Sequence, residues 1–286
     1  MQINPVFRKE LKLSVRSARL PIVMLVYNSV LAFISLLIFY TIIGNAQWSG
    51  LMDFTSVVLL YIVVIAIEGV LLAFIIPALT ASTISGERER QTLDILLTTR
   101  MTPFRIVSGK LMSSVSMIIL LVVSSIPVIS IVFIFGGISL QEVLYIIFYL
   151  IFTAVFFGTI GIACSAVFKK TPSATVAAYG GVLGLCAGTI LVVLAFAFIG
   201  LSSGMAEKET IGLVSLILLL NPGMTVAAIL IRQMADASIS GLIFFDHLGI
   251  PRFFSEHWVA ISIAVQLLLM ILLLWRAAWA LRPKRR

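Results

Sequence analysis

Glu68 is the one ionisable side chain set deep inside a long apolar run of this sequence. A carboxyl group in hydrocarbon is costly, so an intramembrane polar role is the default expectation for it. It can take a proton, accept hydrogen bonds from Ser or Thr of a neighbouring helix, or line a path for a cation or headgroup. A paired, purely packing glutamate is equally open. Other chemistry is thin. Cys164 and Cys186 both lie in apolar stretches without a nearby histidine, so neither a disulfide framework nor a tetrahedral metal site is expected. His247 and His257 fall in or at the edge of one polar segment, and neither H-E-x-x-H nor G-x-S-x-G occurs. Gly109-Lys110 has the look of a phosphate-binding loop, but Leu111 stands where Ser or Thr is needed and Phe104 where the first glycine belongs. The expectation is a chain with no catalytic residues, no metal and no cofactor of its own.

These residues sit on a frame that water cannot solvate. Of 286 residues, 61% are hydrophobic and only 11% charged, against about 25% charged in a soluble domain. Uninterrupted apolar runs cover Ile22–Ile43, Phe54–Leu79, Leu111–Phe135, Val143–Val167, Ser173–Gly200 and Trp258–Trp275. Each suits the roughly 20 helical residues that cross a bilayer, and none alternates as barrel strands do. The fold class expected is therefore an all-α integral membrane protein, one transmembrane domain over 1–286 with six transmembrane helices. The first run exceeds the apolar core of a signal peptide, about 7–15 residues, so it is taken as an uncleaved span despite Gly44-Asn45-Ala46. The net charge of +8 reflects basic residues flanking spans, not a nucleic-acid partner.

All but three of the 20 Lys and Arg residues, namely Lys208, Arg232 and Arg252, fall on one side of a six-span model. The positive-inside rule then puts both termini in the cytoplasm, in a multi-pass protein of the cell membrane. Phe7, Leu11, Val15 and Ala18 recur at helical spacing among Arg8, Lys9, Lys12, Arg16 and Arg19, which marks 1–21 as an interfacial helix lying on membrane lipids, set off from the first span by Pro21. Residues 201–257 form the large extracytoplasmic segment. Within it Ile211–Ile231 is charge-free but broken by Asn221-Pro222-Gly223, and each half is too short to cross. Two short helices forming a re-entrant hairpin between spans five and six are expected. In the fifth span Gly180, Gly184 and Gly188 make a small-residue ridge for helix packing, within the bundle or against a second subunit.

The segment 85–108 between spans two and three carries more pattern than a linker needs. Ser85 or Gly86 can cap a helix with Glu87 and Glu89 in its first turn, and Leu93, Leu96 and Leu97 form an apolar stripe. Thr102-Pro103 starts a second short helix through Phe104, Ile106 and Val107. The stripe must bury against this chain's own bundle or against a soluble partner.

The stretch ISGERERQTLDILLTTRMTPFRIVSGKL resembles the cytoplasmic loop of ABC-2-type ABC transporter permeases, in which E-R-E-x-x-T-L-[DE]-x-L-L precedes a proline turn and a Gly-Lys. NPVFRKELKLSVRS is similar to that family's basic connecting helix, and LLLNPGMTVAAIL to its outer segment. The resemblance implies the permease subunit of an exporter, paired with a second permease copy or a paralogue. Its partner is a cytoplasmic ABC ATPase, which uses ATP and Mg. It also implies that 85–108 is the coupling loop, with Glu87, Arg88, Glu89, Thr92, Leu93, Leu96 and Leu97 as the ATPase-binding residues. A prokaryotic cytoplasmic membrane is the expected location. An ion- or proton-coupled secondary transporter using Glu68, or a non-transporting membrane assembly protein, stands as the alternative. The sidedness has a direct check: a reporter active only in the cytoplasm, fused after Arg286, should be fully active, and activity only of a periplasmic reporter there would overturn it.

Overall fold

The computed structural model describes residues 19–49, 54–93, 103–134, 138–203, 214–235 and 252–281. All regular structure among them is helical. In chain order these are α1 (Arg19–Ser49), α2 (Phe54–Thr80), the short α3 (Ser85–Glu89), α4 (Pro103–Ile134) and α5 (Leu140–Val167). Then α6 (Thr171–Leu183) runs through a π-helical turn, Gly184–Gly188, into α7 (Thr189–Ser203). A 3-10 turn at Leu216–Leu220 precedes α8 (Pro222–Ala235), and α9 (Arg252–Glu256) leads into α10 (Trp258–Ala280).

Six of these rods are long and apolar enough to cross a membrane: α1, α2 with α3, α4, α5, α6–α7 and α10. They coincide with the six apolar runs. Three boundaries differ from expectation. Pro21 lies inside α1, which is described from Arg19, whereas the first span was expected to begin after it at Ile22. The short helix expected from Thr102-Pro103 is the beginning of α4, which continues unbroken to Ile134. The single helix expected from Ser85 through the leucine stripe stops at Glu89, because Gln91 adopts a left-handed backbone (φ 58°). Neither Ser85 nor Gly86 caps α3: the Ser85 hydroxyl donates back to Ala81 O, and the cap position, Ile84, has no side-chain hydrogen bond. Residues 1–18, 50–53, 94–102, 135–137, 204–213, 236–251 and 282–286 lie outside the described residues, and with them the expected interfacial helix, Leu96 and Leu97.

The bundle is built around α5, 67% of whose spanning window is buried, against 17% for the windows of the first and fifth spans. It packs on α2, α4, α6 and α10. Its start is fixed by a reciprocal cap: Ser139 Oγ accepts from the Glu142 N–H at 3.3 Å, and Glu142 Oε2 accepts from the Ser139 N–H at 2.8 Å. Peripheral α1 and α6–α7 turn Leu25, Phe33, Tyr40, Leu191 and Phe198 outward, a surface that only an apolar solvent or another apolar chain tolerates.

Among the described glycines the closest approach is at Gly161, between α5 and α2. A Cβ placed on Gly161 would stand 1.9 Å from Thr80 Oγ1 and 2.9 Å from Thr80 Cβ. Thr80 cannot easily yield, since it is fully buried and its hydroxyl is bonded to Ile76 O. A Cβ on Gly69 of α2 meets nothing within 4 Å. Gly161→Ala should therefore cost about 1–3 kcal/mol by overpacking, and Gly69→Ala should be neutral or slightly stabilising. Unfolding midpoints of the two purified variants in detergent check this, and equal midpoints would contradict it.

Candidate functional site

Among the described residues, three polar constellations join helices of the bundle that are distant in sequence. The first lies at the end of the bundle that carries α3. Ile84 and Ser85 both donate their backbone N–H to Ser165 Oγ of α5 at 2.9 Å, which pins the start of α3 to that helix. Arg88 then donates from Nη1 to Phe168 O at 2.9 Å and from Nη2 to Ala166 O at 3.0 Å. Those carbonyls belong to the C-terminal end of α5, where unpaired acceptors and the negative pole of the helix favour a cation. The next residue does the converse. Glu89 accepts from the Thr171 N–H at Oε1 and from the Thr171 hydroxyl at Oε2, both at 2.8 Å. Thr171 opens α6, whose N-terminal donors and positive pole favour an anion.

Glu87 completes the set. Its Oε1 lies 3.0 Å from Lys110 Nζ, which also donates to Thr83 O at 2.8 Å. Lys110 is buried within α4, so the residue expected among the loop cations instead ties α4 to the α2–α3 turn. Leu93 is 3% exposed and packs with Ile84, Val107, Ile162, Ala166, Ala277 and Leu281. The leucine stripe left two burial options open, and Leu93 takes the one inside this chain. Glu87, Arg88 and Glu89 likewise have partners within the chain, whereas Arg90, Gln91 and Thr92 are exposed beyond the clamp.

The second constellation is midway along the spans. Glu68 has no exposed surface, and its Oε1 accepts from Tyr27 Oη of α1 at 2.9 Å and Ser125 Oγ of α4 at 2.6 Å. Both partners are neutral hydroxyls, and among the described residues Oε2 has no hydrogen-bond partner. The neighbours of those two partners also pair, Asn28 Nδ2 donating to Ser124 Oγ at 2.8 Å. Glu68 thus joins three spans at one level.

The third surrounds the break before α8. Asn221 Oδ1 accepts from the N–H groups of Gly223 and Met224, capping α8. Its Nδ2 donates to Cys186 O at 2.7 Å and Thr189 Oγ1 at 2.9 Å. Cys186 lies in the π-helical turn, where the altered i→i+5 pairing makes a carbonyl available. Gln266 of α10 reaches Tyr149 Oη and Leu219 O, and Ser262 donates to Leu219 O at 2.7 Å. Asn221, Gln266 and Ser262 are not among the site residues expected from sequence. Their signal was present: two polar side chains one turn apart in an apolar run, and an Asn directly before Pro-Gly. Of the glycine ridge, Gly180 and Gly184 have open space where a Cβ would stand, and Gly188 meets only Leu183 O at 4.0 Å. The described residues of this chain do not fill it.

Truncating Glu68 tests the second constellation. Glu68→Ala strips the buried Tyr27 hydroxyl of its acceptor and should cost about 1–3 kcal/mol, while Glu68→Gln keeps an acceptor oxygen and should stay near wild type. Thermal unfolding in detergent, followed by tryptophan fluorescence, measures both. An Ala variant as stable as wild type would count against the tie.

A family model described as ABC-2 family transporter protein matches residues 45–280. A search of curated proteins finds no match to the chain. The family match runs from the end of α1 to the end of α10 and covers α3 with its clamp, Glu68 and the Asn221 break. With six helices able to cross a bilayer, the chain belongs to the ABC-2 family of transporter proteins, as a multi-pass membrane permease.

Proposed function

We propose that this chain is the membrane-spanning subunit of an ABC exporter, moved by ATP hydrolysis on a separate cytoplasmic ATPase. Membrane subunits of the ABC-2 family generally pair with such an ATPase. The observation that carries the proposal for this chain is the clamp at α3. Arg88 and Glu89 tie α3 to the ends of α5 and α6, and the Glu87–Lys110 pair ties it to α4. A displacement applied at Arg90–Thr92 is thereby handed to several spans together, the rigid-body motion by which packed helices switch between two arrangements.

In this reading the ATPase sits against Thr92 and the leucines that follow, Leu96 and Leu97. Glu87, Arg88, Glu89 and Leu93 are positioning residues that make the loop rigid. The α3 end of the bundle faces the cytoplasm, in keeping with the basic residues there. The segment around Asn221 dips into the opposite leaflet and returns. Hydrogen bonds from Asn221 to the middle of the fifth span, and contact of Tyr149 with Pro222 O, support that dip. A second permease, identical or paralogous, completes the transporter, and the open ridge of Gly180 and Gly184 is one face for it.

The unpartnered Oε2 of Glu68 favours one second reading, a carrier coupled to protons or another cation through that carboxyl. The two readings differ in whether purified chain transports without nucleotide.

The test separates binding from transmission. Leu96→Asp with Leu97→Asp should reduce ATPase co-purification with the tagged chain by about tenfold, a change worth 1.4 kcal/mol, with the unfolding midpoint unchanged. Arg88→Ala should keep the ATPase bound while transport per ATP hydrolysed falls. Full co-purification of the leucine double variant would overturn the assignment. Leu93→Asp is a different experiment, because it places a charge in this chain's own apolar cluster.

A further inference from the structure

An apolar cavity of about 380 Å³ opens between α2, α5, the π-helical turn and α8, within the range of pockets that hold small ligands. Its walls are cut by small residues: Gly69 and Ala73 on α2, and Gly223 and Ala227 on α8. Thr153, Phe157 and Cys186 close the back. None of these carries a charge, so water finds few partners inside.

The mouth faces outward. Ala66 and Val70, on the lip of the cavity, are exposed, Val70 at 56%, and Phe74 continues the same face of α2 at 52%. These residues lie in the middle of a helix long and apolar enough to cross a bilayer. For the single chain in a membrane, what stands opposite such a mouth is hydrocarbon. At the end away from the α3 clamp, the wall gives way to polar atoms. Tyr61, beside the lining Ile62, donates to Gln233 Oε1 at 3.1 Å, and Gln233 donates to Glu142 O at 3.0 Å.

We propose that this cavity binds the acyl chain of a membrane amphiphile, entering sideways between α2 and α8 with its headgroup toward Tyr61, Gln233 and Glu142. A methylene chain is narrow enough for a slot between two touching helices. A further helix, about 10 Å across with its side chains, is not. The Asn221 side chain holds the slot open by fastening α8 to the π turn of the fifth span on one side and capping it on the other. This site does not depend on the ATPase reading, since binding is expected in the permease alone.

The test uses full-length protein in lipid nanodiscs containing a phosphatidylcholine with a photoreactive diazirine near the end of one acyl chain. After illumination, adducts located by peptide mass spectrometry should concentrate on residues 62–73 of α2 and 223–231 of α8. The expected enrichment over the equally outward faces of α1 and α10 (Phe33, Leu268) is about tenfold, the ratio set by 1.4 kcal/mol of preference. Gly69→Leu, which extends into open space, and Ala227→Phe should each abolish the enrichment, while Leu268→Phe should leave it. Even labelling of all outward faces in the wild type overturns the proposal without reference to any variant. So does enrichment that survives both filling variants, or cross-linking of the cavity to a second copy of the chain in place of lipid. Because no ATPase is present, a failure here is distinct from failed co-purification.

Discussion

Opposite helix poles held by adjacent side chains organise this molecule. Arg88 sits on the carbonyl end of α5 and Glu89 on the amide end of α6, so one short turn of helix neutralises both ends of the α5–α6 corner. Two spans that fold back on each other leave unpaired carbonyls and amides side by side, and water at the bundle edge would satisfy them without fixing any geometry. Side chains borrowed from α3 satisfy them with geometry. The short helix becomes part of the bundle, and the Glu87–Lys110 pair extends the grip to α4.

The same economy governs the interior. Where no water competes, each polar side chain holds its partners in a fixed place, and a few such ties set the level at which helices meet. Glu68 fixes α1, α2 and α4 against one another. Asn221 and Gln266 do the same for the fifth span, α8 and α10 with α5. Apolar contact supplies most of the packing but little register, because one Leu or Ile face slides over another at small cost. The polar ties choose among those registers.

The large features were legible because they follow from solubility. Six apolar runs had to become six buried or lipid-facing helices, and Glu68 announced itself as the only charge within them. The details around α3 were not legible, for a physical reason. Glu87, Arg88 and Glu89 look like a solvated helix face, and only the three-dimensional neighbourhood of Lys110, Ala166, Phe168 and Thr171 gives them partners within the chain. Lys110 was hidden in the same way, since a cation near a span end reads as a flank until its carboxylate partner is in view. Leu93 could bury in either direction, and Gln91 carries no glycine-like mark of the left-handed turn it makes. The π turn at Gly184–Gly188 has no sequence signature beyond its glycines.

That π turn bears on how the fifth span came to be built. A π turn is one residue more than the α-helical pitch needs, absorbed as a bulge instead of being expelled to a loop. Removing one residue there would restore the i→i+4 pairing and return the Cys186 carbonyl to the helix's own ladder. The carbonyl that Asn221 grips would then be occupied within the helix, leaving the asparagine the Thr189 hydroxyl alone on that span. In lineages of this fold, the extra residue in the helix and the asparagine before the Pro-Gly should have been gained and lost together.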